Sequence, residues 1–450
     1  MYRTQSLATF PAGLLLLLLA ANFCLAADGR LAVERVLDVA PVWSGHPVRF
    51  ALLTDGNRQF VAFFDADRQM TVGSRALDSD RWQLVRLPSK LGWDSHNYVT
   101  MVVDDRGHLH LSGNMHCVPL IYFRTTRPYD VTSFERVESM VGRNEKRCTY
   151  PRFLRGANGE LIFVYRDGGS GNGSRYFNVY DPSTKTWRRL LDQPLFSGQG
   201  KMNAYFQGPV RDEQGVFHFC WVWRDTPDCA TNHHLSYVRS KDLVHWETSD
   251  GKPLVLPITI DNAEVVDPVP PGGGMINGNT RLGFDTQGRV VIAYHKFDAD
   301  GKTQLYNARR ETDGWKVYQT SDWNYRWEFG GGGSIGFEIR VGAVTVEPDG
   351  TLSQRYSHVK HGSGNWLLDE ATLKPIGQAR RRDALPREIS RLESSRPGMD
   401  VRTAHDLGRS DRPGVRYVLR WETLPSNRDR AHPGDPPKPS MLRVYRLRGT

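Results

Sequence analysis

The sequence predicts an all-β fold, a single seven-bladed β-propeller, and three observations predict it. A short polar turn ending in Gly, followed at once by an apolar or aromatic strand, recurs seven times along the chain. Between these copies falls a second phrase: a strand, a polar turn and an aromatic strand. Composition leans the same way, since 43 Gly, 12 Trp and 17 Tyr suit strands and tight turns while helical periodicity is nearly absent.

The first phrase reads TDGNRQFVAFF, DDRGHLHLSG, GANGELIFVY, DEQGVFHFCW, DTQGRVVIAYH, PDGTLSQRYS and RPGVRYVLRW, with Gly56, Gly107, Gly159, Gly215, Gly288, Gly350 and Gly414 at the turns. Each is a hairpin signal, because Gly takes the positive φ that the turn demands. The second phrase reads VGSRALDSDRWQLV, YFNVYDPSTKTWRRL, LSYVRSKDLVHWET and LYNARRETDGWKVY, closed by Trp82, Trp187, Trp246 and Trp315. Within it, SKDLVHW resembles a loose Asp-box, the turn of sialidase-type propellers. Two hairpins per repeat make a four-stranded blade of about 50 to 60 residues. Residues 28–450 are thus expected to form one propeller, with RAHPGDPPKPS leading to a closing strand near 441–448 and an irregular insertion from Arg380 to Met399.

The chain opens with a positive end at Met1 to Arg3, an apolar run from Gly13 to Ala21, and small residues at Cys24-Leu25-Ala26 or Leu25-Ala26-Ala27. This is the pattern of a secretory signal peptide over residues 1–27. Its apolar core is shorter than the roughly 20 residues a membrane helix needs. A periplasmic or secreted protein is expected, monomeric and not bound to membrane.

A net charge of +9 and a pI near 9.3 suit an acidic partner. Export, and the lack of a basic-helix or zinc-finger pattern, favour an anionic polysaccharide over nucleic acid. With Cys24 removed, Cys117, Cys148, Cys220 and Cys229 remain, and four cysteines allow three disulfide connectivities.

The stretch LGWDSHNYVTMVVDDRGHLHLSGNMH places His96 and His116 on the two flanks of one inner strand. RCTYPRF adds Tyr150, FVYRDGGSGNG adds Arg166 and QGKMNAYF adds Tyr205, each at or near an inner strand of a following blade. Two imidazoles, two phenols and a guanidinium suit uronic-acid chemistry. A cation neutralises the carboxylate so that the C5 proton becomes acidic, His or Tyr removes that proton, and Tyr protonates the departing O4. His46, in VWSGHPVRF, is a separate candidate, held rigidly by Gly45 and Pro47.

Cys220, Cys229, His233 and His234 match no standard zinc spacing, so no metal is expected. The runs Gly272 to Gly274 and Gly330 to Gly333 lack the features of phosphate loops, so no cofactor is expected either. Neither a nucleophile elbow nor a close carboxylate pair of the glycosidase kind stands out.

Long motifs carry a family resemblance. SGHPVRFALLTDGNRQFVAFFDADRQMTVG, WDSHNYVTMVVDDRGHLHLSGNMH, RCTYPRF, YRDGGSGNG, GQGKMNAY, WVWRDTPDCATNH, VVDPVPPGGGMIN, YHKFDADGKTQLY and DWNYRWEF resemble the BNR-4 repeat proteins, over roughly residues 40 to 345. Among these the chain looks most similar to the glycoside hydrolase family 145 α-L-rhamnosidases. That resemblance implies a seven-bladed propeller removing L-rhamnose linked α-1,4 to D-glucuronic acid, as in arabinogalactan side chains, with His46 at the position of the catalytic histidine.

The polysaccharide lyase family 25 ulvan lyases are a more distant likeness. They imply a lyase site on the opposite face, with His96, His116, Tyr150, Arg166 and Tyr205 as its members. Three functions are therefore expected in order: a rhamnosidase using His46, a uronate-specific lyase using the other five residues, and a non-catalytic glycan-binding propeller. Both enzymes would act on an acidic oligo- or polysaccharide of rhamnose and glucuronic acid.

Overall fold

The computed structural model describes residues 31–379 and 385–449. The expected signal peptide at 1–27 and the first residues of the expected insertion at 380–384 lie outside these. Among the described residues the chain forms seven sheets, antiparallel except for the two-residue pairing of Ala51–Gly56 with Arg409–Ser410, and its one α-helix is Arg387–Ser390. No described helix is long and apolar enough to cross a membrane.

The sheets follow one another along the chain. Their first strands are Ala51–Gly56, Val99–Val103, Cys148–Arg155, Asn203–Arg211, Arg281–Phe284, Ile339–Val346 and Asp400–His405. Each pairs with the strand that follows it across one of the seven glycine turns, except that the two-residue strand Arg409–Ser410 intervenes before the last. All seven turn glycines take positive φ, from 55° at Gly56 to 88° at Gly159, a region that costs a residue with a Cβ.

First strands pack on first strands of the neighbouring sheets. Ala51–Gly56 touches Val99–Val103, which touches Cys148–Arg155, and Asn203–Arg211 touches Arg281–Phe284, which touches Ile339–Val346. Asp400–His405 of the last sheet packs back on Ala51–Gly56.

Burial is graded across each sheet. Second strands such as Leu161–Asp167 and Phe217–Arg224 are buried nearly throughout, because neighbouring sheets cover both faces, so they read as continuous apolar runs. Outer strands such as Gly314–Gln319 and Pro375–Gln378 face solvent and are polar. The core therefore lies between the sheets, where Trp221, Trp223, Trp327 and Tyr294 are fully buried.

One element differs from expectation. Trp246 does not begin the fourth strand of its sheet: Glu247 makes isolated bridges to Arg239 and Pro253, the chain passes Pro257, and the fourth strand is Glu264–Asp267. Proline has no N–H to continue a ladder, which delays the pairing. The strand expected near 441–448 is Ser440–Gly449. It pairs with Leu31–Val42 from the other end of the described chain, in register from Leu31 opposite Gly449 to Val42 opposite Ser440.

Candidate functional site

The five residues His96, His116, Tyr150, Arg166 and Tyr205 come together at one end of the sheets, where first strands begin and second strands end. The His96 and His116 rings lie 4.3 Å apart, centroid to centroid. Tyr150 meets His96 edge-on at 5.7 Å and Tyr205 at 6.1 Å. The Arg166 guanidinium carbon sits 4.9 Å from the centre of the Tyr150 ring, and Nη1 donates to the Tyr205 hydroxyl at 3.4 Å.

Local irregularities aim these side chains. Tyr150 has φ +58°, at a bulge between Thr149 and Arg152 in the first strand of the third sheet. A bulge re-aims a side chain, and a strained non-glycine residue persists only when its surroundings over-determine it. Here Thr149 accepts from Arg166 Nη2 at 3.1 Å and from the Cys117 amide at 2.8 Å, locking the strand to the short segment His116–Val118.

Sequence reasoning left Asp94 without a role, though it lies inside the quoted WDSHN motif. Its two carboxylate oxygens take one histidine each: His96 Nδ1 donates to Oδ1 at 2.6 Å, and His116 Nδ1 donates to Oδ2. Burial alone would raise the Asp94 pKa, but the bonds from His116 and His96 outweigh it and hold the carboxyl well below the usual range. An ionised carboxylate only accepts, so both Nδ1 atoms carry hydrogen and Nε2 is the nitrogen through which either imidazole can take up a proton.

A second carboxylate, Asp429, lies 3.6 Å from His96 Nδ1. It is pinned by the amides of Ser95 and Ser334, at 3.1 and 3.0 Å. Asp429 belongs to the long connector after the strand Val415–Thr423, where nothing in the sequence pointed to a site. Arg224, whose guanidinium carbon is 5.6 Å from the Tyr205 ring centre, was also missed. A signal was available for it, since WVWRD repeats VYRD of the preceding sheet and places Arg224 at the same strand end as Arg166.

Two expectations are corrected. Arg166 is fully buried, and its donors go to Gly168 O, Tyr205, Thr149 and Cys117, so it acts on the site as a charge beneath the two tyrosines. His46 is not on an opposite face. Its ring lies 5.5 Å from that of Trp93, in the same turn as Asp94 and His96.

His46 is 2% exposed, and Nδ1 accepts from Trp43 Nε1 at 2.9 Å. Burial pushes its pKa down to about 4. Arg68 stacks on both Trp43 and Trp93, at 5.0 and 5.1 Å, and ties Leu91 O with two donors. His46 is thus part of an aromatic box that supports the 91–97 turn from behind.

Asp94, His96 and His116 offer ligand atoms within 4.8 Å of one another and are the residues able to hold a metal ion among those described. The other cysteine–histidine group is dispersed: Cys220 and Cys229 sit in different core clusters, and His233 bonds to Asp225 at 2.9 Å. Among the described residues the four cysteines Cys117, Cys148, Cys220 and Cys229 are free thiols, and burial pushes Cys220 up to about 12.

The molecule is thus an all-β repeat protein whose sheets deliver a His–Tyr–Arg cluster to one end. The chain belongs to the BNR repeat-containing family BNR_4, whose family model matches residues 58–323. Among curated proteins it is 26% identical over 148 residues to the ulvan lyase long isoform of Pseudoalteromonas sp. (strain PLSV), covering 28% of this chain and 14% of that protein. It is 24% identical over 246 residues to "Ulvan Lyase-PL25" of the same strain, covering 47% of this chain and 48% of that one. The chain therefore spans about half or less of the length of these relatives.

Among solved structures, polysaccharide lyase Uly1 superimposes with a TM-score of 0.61 at 13% identity, over 93% of this chain and all of the other. A PL25 ulvan lyase bound to -[GlcA(1-4)Rha3S]- gives 0.58 at 14% identity, over 92% and 96%. These likenesses establish a shared propeller-like fold. They fall on the lyase side of the resemblance and give no support to the rhamnosidase family.

Proposed function

We propose that this chain is a polysaccharide lyase that cleaves the bond to O4 of a uronic acid in rhamnose–glucuronate glycans of the ulvan type, and that its seven sheets are the blades of one propeller. The observation that carries the reading is the convergence of His96, His116, Tyr150, Arg166 and Tyr205 around Asp94, while His46 is enclosed between Trp43 and Trp93. The names of the ulvan-lyase relatives support the substrate class, and the amino-terminal signal pattern supports action outside the cytoplasm.

In this reading, an imidazole Nε2 from the Asp94 pair takes the C5 proton of the uronate. The C5–H electron pair forms the C4=C5 double bond and the C4–O4 bond breaks. Its electrons go to O4, which takes the phenolic proton of Tyr150. Burial keeps that phenol protonated by pushing its pKa up, as an acid needs. The Arg166 charge, set beneath Tyr150 and Tyr205 in a region of low dielectric, favours the anion developing at C5 and its carboxylate. Nothing in this sequence of events needs His46.

The test is to incubate ulvan and gum arabic with wild type, His116→Ala and Tyr150→Phe, following ultraviolet absorbance and free rhamnose together. A chromophore from the unsaturated uronate, lost in both variants, is expected. Rhamnose release without a chromophore, or undiminished absorbance in His116→Ala, would rule the lyase out.

A further inference from the structure

Below the catalytic cluster lies a cavity of about 270 Å³ lined by Arg49, Arg152 and Arg175 together with Tyr98, Tyr150 and Tyr205. Its other lining residues are Phe206, Gln207, Asn277 and Gly278, so no carboxylate faces it. Arg49 and Arg152 also line a second cavity of about 790 Å³, to which Arg155 and Arg409 add cations and Asp55 a carboxylate. Two adjoining cavities thus share a cationic wall.

Arg175 is the unusual member. It is 3% exposed, and its Nε and Nη1 are buried without a hydrogen-bond partner. Its guanidinium carbon packs 4.6 Å from the Phe206 ring centre and 5.8 Å from that of Tyr150. Neighbouring guanidinia are accounted for otherwise: Arg152 donates to Gly208 O, and Arg49 stacks on Tyr98 at 4.7 Å.

Burial, and then the charge of Arg166, push the Arg175 pKa down to about 9. A buried guanidinium with idle donors, beside two like charges and no counter-charge, is costly unless a ligand completes it. Arginine's planar fork matches carboxylate, sulfate or phosphate oxygens.

We propose that this cavity is an oxyanion site, with Arg175 as its anchor and Arg49 and Arg152 as flanking charges, taking a compact group with several negative oxygens. Tyr150 and Tyr205 line it from the catalytic side, so the anion is either a sulfate ester of the bound glycan or a free inorganic ion lodged beneath it. Only the choice between these sources rests on the lyase reading.

The probe is sodium sulfate, titrated calorimetrically into wild type, Arg175→Gln and Arg175→Lys, with sodium chloride at matched ionic strength as the reference. Saturable sulfate binding is expected, weakened at least tenfold in Arg175→Gln and partly retained in the charge-keeping Arg175→Lys. Binding no tighter than chloride, or equal in wild type and Arg175→Gln, overturns the site. Should Arg175→Gln not fold, the comparison of wild type with Arg175→Lys and Arg152→Gln decides on the same criterion.

Kinetics on sulfated and desulfated ulvan then give the source. A sulfate ester predicts that Arg175→Lys raises KM on the sulfated glycan alone and that free sulfate competes with it. A lodged ion predicts equal effects on both glycans and no competition. Sulfate binding in a protein that produces no unsaturated product would leave the oxyanion site standing and remove the lyase.

Discussion

Asp94 is the residue on which both imidazoles depend, because each of its carboxylate oxygens fixes one Nδ1–H and so one basic Nε2. Asp94→Asn keeps the shape but gives one ring an amide N–H instead of an acceptor. The rate of unsaturated-product formation is expected to fall about 100-fold or more, in line with the loss of an oriented base, with the thermal melt little changed. His46→Ala should behave oppositely. It leaves Trp43 Nε1 without its buried acceptor, so denaturant titration should show a loss of about 1–3 kcal/mol while kcat stays of the order of wild type. Residue types made the five-membered cluster legible in the sequence, since their chemistry converges on one reaction. Asp429 was not legible: its amide partner Ser95 lies 334 positions away, and no local pattern encodes a contact across that distance. Arg166 was legible as a cation but not as a buried one, because an arginine at a strand end reads the same whether it faces substrate or the strands beneath.

At the scale of the element, the glycine turns were the clearest signal, because positive φ is a backbone demand that glycine meets without the cost of a Cβ. Their tolerance of a side chain still differs. A Cβ on Gly107 would lie 2.5 Å from the Tyr129 ring, whereas one on Gly159 meets nothing within 4 Å. Gly159→Ala is therefore expected to cost about 1 kcal/mol, the conformational share alone, and Gly107→Ala distinctly more, about 2–4 kcal/mol, by chemical denaturation of each variant. Outer strands were less legible. They carry few buried residues, and their pairing depends on what intervenes, as the prolines after Trp246 show by postponing the fourth strand to Glu264–Asp267.

For the molecule as a whole, buried histidines set the response to acid. His46 and His295 are both pushed down to about 4, in each case by burial first. His295 lies between Trp327 and Phe329. The unfolded chain takes up protons at these residues from about pH 6.5 downward, and the folded chain resists until about pH 4. The contribution of these two histidines is then full above pH 6.5, falls as the pH drops toward 4 and is lost below it, by an amount on the order of 3 kcal/mol per histidine. Denaturation midpoints measured across that window should fall accordingly, and His295→Met should flatten the slope by about one proton. The seven-sheet plan was legible from repeats, but the sheet shared by the two ends was not, since Leu31–Val42 reads as an ordinary strand with no local partner. That sheet bears on biogenesis. Arg443 bonds to Asp38 across 405 positions, so Leu31–Val42 has no seat until Ser440–Gly449 has been made. Pairing these two strands closes a loop across 405 positions, a step slow relative to the local hairpins of the other sheets.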